Sequence, residues 1–308
     1  MEMLIEALKA ALIGIVEGIT EWLPISSTGH MILVDEFVQL QVSPEFLALF
    51  LVVIQIGSIM AVVVSFRHKL NPFSRTKSHE EQRGTWRLWG MVAIGCIPAA
   101  VFGLALDDWA KEHLFNAYTV AAMLILYGVI FIVVEQFNRR RARKYLESLE
   151  PVRGKHARPQ SDEDKMAGMF KINDVSQIDW KMALKIGAFQ VLAIVPGTSR
   201  SGATIIGGML CGCSRTAAAE FTFFLAIPVM FGWGMVKAIK FLIRGFAMTQ
   251  VEIVVLVVGI VSAFVMGVIA IKFLMGYIKK NDFTIFGVYR IILGLVVLGY
   301  FGMKAFGA

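Results

Sequence analysis

Two carboxylates stand four residues apart in IGIVEGITEWLPISSTGHMI (13–32), at Glu17 and Glu21, inside otherwise apolar text. On a helix that spacing puts both on one face. An acid pair at membrane depth is a functional-site hypothesis. It can hold a divalent cation such as Mg2+ or Ca2+ through its oxygens, or serve as a general base. The plainer alternatives are that one acid is protonated or that both face water. Past Pro24, the residues Ser26, Ser27, Thr28 and Gly29 suit a helix N-cap, and MILV can restart a helix. Free N–H groups at such a start attract anions. His30 follows Ser27 by three residues, so the two side chains can share a helical face. A Ser–His pair suits nucleophilic attack on phosphorus. His68, His79, His113 and His156 lie in connections or at their edges, so only His30 sits between apolar runs.

A second polar break reads PGTSRSGAT, Pro196 to Thr204. An arginine in an apolar segment requires an anionic partner, and the planar fork of Arg200 matches phosphate oxygens. A salt bridge from Arg200 to Glu17 or Glu21 is the structural alternative, and the two roles are compatible if substrate displaces the pairing. Shifting the first segment by 173 residues lays it on IGAFQVLAIVPGTSRSGATI (186–205) without a gap. Ile13 then meets Ile186, Gly14 meets Gly187, Ser26 meets Ser199, Gly29 meets Gly202 and Ile32 meets Ile205, while Glu17 meets the amide Gln190. Around Arg200, the residues Ser199, Ser201, Gly202 and Thr204 are candidate substrate-binding positions, as are Ser26, Thr28 and Gly29 in the first break and Gln190, the counterpart of Glu17.

The surrounding chain must hold these groups in lipid. Of 308 residues, 57% are hydrophobic and 17% charged, with a mean hydropathy of +0.68. Soluble domains carry roughly a quarter charged residues, so the composition predicts a polytopic all-α membrane protein. Six apolar runs are long enough to span, at about 46–66, 88–106, 116–136, 217–241, 251–274 and 284–303. The two broken segments, about 4–33 and 183–210, read as re-entrant hairpins, because irregular backbone at membrane depth is tolerated only beside protein or a water-filled cavity. Each unit is then one broken hairpin plus three spans: 1–136 and 183–308, joined by a basic polar linker, 137–182. Three spans are an odd number, so the second unit enters inverted and the site is expected at mid-membrane between the breaks.

The net charge of +7 lies in connections between apolar runs, which argues against nucleic acid as a partner and for cytoplasmic loops facing anionic lipid. The 67–87 and 137–171 connections are basic and 107–115 is acidic, which puts both termini outside. The stretch RPQSDEDK within the linker is expected to be polar and mobile. The start MEMLIEALKAALIGIVEG has neither a basic n-region nor a small-residue cleavage site, so no cleavable signal is expected. Cys96, Cys211 and Cys213 show no metal-ligand spacing and read as packing residues.

VEGITEWLPISSTGHMILV and VPGTSRSGATIIGGML closely resemble the two signature motifs of the bacterial undecaprenyl-diphosphate phosphatase family, the bacitracin-resistance proteins. The likeness extends over most of the chain, including VVIQIGSIMAVVV, SRTAAAEFTFFLAIP and AIKFLMGYIKK; the basic insert around 137–171 departs from it. The resemblance implies hydrolysis of undecaprenyl diphosphate to undecaprenyl phosphate and inorganic phosphate, recycling the lipid carrier of cell-wall synthesis. It further implies a bacterial plasma-membrane protein with an interdigitated inverted-repeat fold, a divalent-cation requirement and a site open to the outer face. Carried over, Glu17, Glu21, Ser27, His30 and Arg200 match proposed catalytic positions. Ser27 is favoured as nucleophile with His30 as its acid–base partner, although the motif leaves the choice between them open. A transporter or flippase of polyprenyl phosphate using the same anion pocket is the alternative. The oligomeric state is open, with a homodimer carried as one option.

Overall fold

The computed structural model describes residues 1–149, 168–245 and 247–306. Eleven α-helices make up the described fold, in the order α1 (Glu2–Thr20), α2 (Ser27–Phe37), α3 (Pro44–Ser65), α4 (Arg67–Leu70), α5 (His79–Leu114) and α6 (Ala117–Ser148), then α7 (Trp180–Val191), α8 (Arg200–Leu210), α9 (Arg215–Ile243), α10 (Gln250–Lys280) and α11 (Thr284–Phe306). Six of them, α3, α5, α6, α9, α10 and α11, are long and apolar enough to cross a membrane. The chain is an all-α, multi-pass membrane protein.

Helix α10 shows how the sequence sorts its faces. Gly259, Ala263 and Gly267 recur every four residues and are buried. Val257, Val261, Val265, Ile269 and Phe273 recur on the opposite face and are exposed. Small residues let a neighbouring backbone approach closely in lipid, while the branched residues face the hydrocarbon. The neighbour is α1. A Cβ on Gly14 would collide with the carbonyl of Gly259, and one on Gly18 would lie 2.5 Å from that of Ala263. The same device recurs in the other half, where a Cβ on Gly187 of α7 would collide with the carbonyl of Gly95 in α5. Each half thus packs its first helix on a long helix of the other half.

Helices α1 and α2 form a hairpin, and so do α7 and α8. The ends of the first are tied together: Lys9 Nζ donates to the carbonyl of Gln39 at 2.8 Å, and the amide of Gln41 donates to Glu6 Oε2 at 2.8 Å. From Lys9 to the break, and back along the 11 residues of α2, the chain covers roughly 16 Å at about 1.5 Å per residue, near half of a ~30 Å hydrocarbon core. The second hairpin is tied at its own ends by the amide of Ser214 donating to the carbonyl of Ile172 at 2.7 Å.

Ion pairs mark the two ends of the molecule. One end carries Lys69 with Glu220 (2.6 Å) and Asp174 (3.6 Å), and Arg139 with Asp282. The other carries Lys304 with Glu36 (2.7 Å), beside a hydrogen bond that Ser43 Oγ donates to Glu252 (2.6 Å). The ends of the α1–α2 hairpin belong to the second of these and those of α7–α8 to the first, so the two breaks meet from opposite sides.

Two expected connections are more helical than the sequence suggested. Helix α5 runs on to Leu114 through the acidic 107–115 stretch, with Pro98 inside it. Helix α6 runs on to Ser148, so Arg139, Arg140, Arg141, Arg143 and Lys144 ride on its exposed continuation and not on a loop. The residues Arg, Lys and Glu are good helix formers, and apolar patterning alone marks where the lipid ends and not where the helix does. The stretch RPQSDEDK lies outside the described residues.

Candidate active site

Each break ends on a serine in a left-handed backbone conformation: Ser26 at φ 74° and Ser199 at φ 69°, the only non-glycine residues with positive φ among those described. Each is the N-cap of the helix that follows. Ser26 Oγ accepts from the amide of Gly29 (3.3 Å) and Ser199 Oγ from that of Gly202 (3.1 Å). A left-handed non-glycine residue costs about 1–3 kcal/mol and persists where its surroundings dictate it. Here both breaks are held by Arg290 of α11, which is fully buried. Its guanidinium donates to the carbonyls of Pro24 (3.2 Å), Gly197 (2.8 Å) and Thr198 (2.9 Å). Carbonyls that a helix would have satisfied thus find a donor inside the protein, as buried irregular backbone in lipid requires.

The residues just after these two serines converge. Ser27 Oγ donates to Glu21 Oε2 at 3.0 Å, and Arg200 Nη2 donates to Glu21 Oε1 at 3.0 Å. Arg200 Nη1 donates to the carbonyl of Thr222 at 3.0 Å, and its guanidinium lies over the Trp22 ring, 5.7 Å from the centroid. Ser201 Oγ donates to the carbonyl of Glu21 at 3.1 Å. A polar cavity of about 180 Å³ opens here, lined by Glu21, Ser27, Thr28, Gln55, Ser199, Arg200 and Ser201 together with Ala193, Val195, Pro196, Gly197 and Met230. It combines a hydroxyl, a guanidinium, a carboxylate and the start of α8, the inventory for binding and attacking a phosphate.

Several expected site residues sit behind the cavity wall and not on it. Ser26, Gly29 and Gly202 build the caps. Thr204 Oγ1 donates to the carbonyl of Arg200 at 2.9 Å and accepts from Thr222 Oγ1 at 2.8 Å, bracing α8. Gln190 is buried, and neither of its amide atoms has a partner among the described residues. His30 does not bond Ser27. Its Nδ1 bonds the carbonyl of Ser26 at 2.8 Å and its Nε2 the hydroxyl of Tyr289 at 2.7 Å. The expected Ser27–His30 pairing is replaced by Ser27–Glu21: six residues and a turn separate these two, and the turn, which sequence spacing does not encode, folds one back on the other.

Arg290, Tyr289 and Gln55 escaped the sequence reading. For Arg290 the signal was present, an arginine within the apolar run GVYRIILGLVV, the same one that exposed Arg200.

Among the described residues no three His, Cys, Asp or Glu side chains cluster to hold a metal. The donors available for one are Glu21 and, a turn earlier, Glu17, whose buried Oε1 has no partner among the described residues. Two carboxylates suit Mg2+, which keeps waters and takes its remaining ligands from substrate phosphates.

Residues 10–296 match the family model of the bacitracin resistance protein BacA. The chain is 51% identical to an undecaprenyl-diphosphatase of Enterococcus faecalis over 292 residues, covering 95% of this chain and 96% of the relative. It is 52% identical to one of Desulfitobacterium hafniense over 302 residues, 98% of each chain. A third, from Streptococcus thermophilus, is 50% identical over 98% of this chain and 95% of its own length. With the family model and these relatives in agreement over nearly its whole length, the chain belongs to the bacitracin resistance protein BacA family.

Proposed function

We propose that the protein hydrolyses undecaprenyl diphosphate to undecaprenyl phosphate and inorganic phosphate in the bacterial plasma membrane, with the site open to the outer face. The relatives above carry the name of that activity and not of a transporter. The observation that carries the site assignment is the sharing of Glu21 by Ser27 and Arg200 beside a polar cavity. Substrate diphosphate takes Arg200 from Glu21, which frees the carboxylate to accept the Ser27 proton. Ser27 Oγ then attacks the terminal phosphorus, the bridging P–O bond breaks, and the lipid monophosphate leaves. Glu21 passes that proton to the departing lipid phosphate, takes one from the water that attacks the phosphoserine, and returns it to Ser27 Oγ as inorganic phosphate leaves. Arg200 and the N–H groups opening α8 neutralise charge on the transferring phosphoryl group. A divalent cation held by Glu17 and Glu21 would add Lewis-acid stabilisation of that charge.

The reading of 1–136 and 183–308 as an inverted repeat is supported by the matched left-handed serines and by the reciprocal packing of Gly14 and Gly187. Phosphate release from a C15 or C55 isoprenyl diphosphate by purified protein, with and without chelator, tests activity and metal together. No release under either condition overturns the proposed function.

A further inference from the structure

The imidazole of His30 is used up by its neighbours. A backbone carbonyl only accepts, so Nδ1 carries a hydrogen and donates it to Ser26 at 2.8 Å. With the ring neutral, Nε2 accepts from the Tyr289 hydroxyl at 2.7 Å. The two rings lie nearly parallel, 9° apart with centroids 5.6 Å apart. The next residue of α11 is Arg290, whose guanidinium fastens both breaks, so Tyr289 projects from the turn of that helix that anchors them. Tyr289 and Arg290 are the titratable or charged groups that α11 turns towards the ring, and α2's own acids, Asp35 and Glu36, lie more than a turn further on.

Ser26, which receives the histidine's hydrogen bond, is the left-handed residue that precedes Ser27. In the second break the residue matching His30 under the 173-residue shift is Ala203, which offers Ser199 only its backbone amide (2.9 Å). The extra clamp therefore belongs to the break that carries Ser27. His30 is also absent from the lining of the polar cavity.

We propose that His30 is a positioning residue and not an acid or base: Tyr289 orients the imidazole, and the imidazole holds the Ser26 carbonyl, which fixes the strained turn that aims Ser27 Oγ at Glu21 and the cavity. The inference rests on the phosphatase reading above and assigns Tyr289 a part in it.

Asparagine separates the two roles, because its side-chain N–H can reproduce the Nδ1 donor without any titratable nitrogen. With a C15 isoprenyl diphosphate, His30→Asn is expected to keep kcat within about tenfold of wild type with KM unchanged and both limbs of the pH–rate profile present, while His30→Ala loses about 100-fold or more. Tyr289→Phe, at a half-exposed position that tolerates the change, should lower kcat about fivefold in wild type and have no further effect in His30→Asn. Equal loss in His30→Asn and His30→Ala, disappearance of a pH limb in His30→Asn, or an unchanged kcat in Tyr289→Phe overturns the proposal. If wild type releases no phosphate, the phosphatase reading fails separately. The clamp is then judged by 15N NMR of histidine-labelled protein, with the His30 signals assigned by their loss in His30→Asn. A protonated Nδ1 whose partner Nε2 shifts in Tyr289→Phe supports it, and an Nε2–H tautomer insensitive to Tyr289 refutes it.

Discussion

Ser27 and Arg200 occupy the same place in two different breaks, one residue past a left-handed serine, and bond opposite oxygens of one carboxylate, Glu21. One break contributes the proposed nucleophile and the other a cation, and neither hairpin alone contains both. The carboxylate joins them at rest and must let go of the cation for an anion to bind.

Removing the hydroxyl or the guanidinium should therefore stop phosphate release by different routes. Ser27→Ala removes the attacking oxygen and should reduce kcat by at least about 1000-fold with little change in KM. Arg200→Lys keeps a charge but loses the planar fork and should cost about 100-fold or more in kcat/KM. Steady-state assays of the two variants check this; substantial activity in Ser27→Ala would remove it as the nucleophile.

The Glu21–Arg200 pair should show strong coupling in stability. Both side chains are about nine-tenths buried, so deleting one partner leaves an uncompensated charge, at a cost of about 3–5 kcal/mol. Glu21→Ala and Arg200→Ala should each lower the thermal midpoint in detergent, and the double variant should lie closer to wild type than the sum of the two predicts. Strict additivity would mean that the pair is not formed in the resting protein.

How much of this was legible in the sequence follows from what kind of signal each part leaves. The six spans are written as apolar length, and both breaks as Pro, Gly and hydroxyl residues inside apolar text, so both were recovered. Arg200 was found because a buried cation is costly, and Arg290 should have been found for the same reason. Tyr289 and Gln55 left no such trace, since one tyrosine or one glutamine in a span is ordinary until a partner is seen. The Ser27–Glu21 contact was hidden for another reason. Helical spacing relates residues within one helix, whereas a turn at Leu23–Ile25 lets Ser27 reach back six positions.

Arg290 carries the breaks, so its loss should damage fold and activity together. Arg290→Met preserves much of the side-chain volume but leaves the carbonyls of Pro24, Gly197 and Thr198 without their donor. Each buried unsatisfied group costs about 1–3 kcal/mol. A thermal midpoint lowered by many degrees, with activity lost in parallel, is the expected result. A stable but inactive variant would instead assign Arg290 a direct part in catalysis.

Close packing of the two halves should make Gly14 and Gly187 intolerant of any side chain. Each faces a backbone carbonyl that cannot move as a side-chain tip can. Gly14→Ala and Gly187→Ala should each cost about 1–3 kcal/mol through overpacking. Gly232, which has no described atom within 4 Å of an added Cβ, is the control and should accept alanine without loss. Thermal unfolding monitored in one detergent compares the three.

A pH-dependent contribution should come from Asp174, at the end of the molecule where Lys69 and Glu220 meet. Partial burial pushes its carboxyl upward, but the amide of Ser176 (2.9 Å) and Lys69 (3.6 Å) outweigh that and hold it below the usual carboxylate range. A carboxyl whose folded value lies below its unfolded value of about 3.9 stabilises the protein above that pH, and the contribution is lost as the pH falls through the lower, folded value. Between about pH 6 and 5 the difference in thermal midpoint between wild type and Asp174→Asn should be constant, with wild type the more stable. Below about pH 4 the two curves should converge, since the wild-type carboxyl then becomes protonated and resembles the amide. Because half of the side chain is exposed, salt should shrink the difference. Parallel curves down to pH 3 would assign the acid sensitivity of this end to other groups.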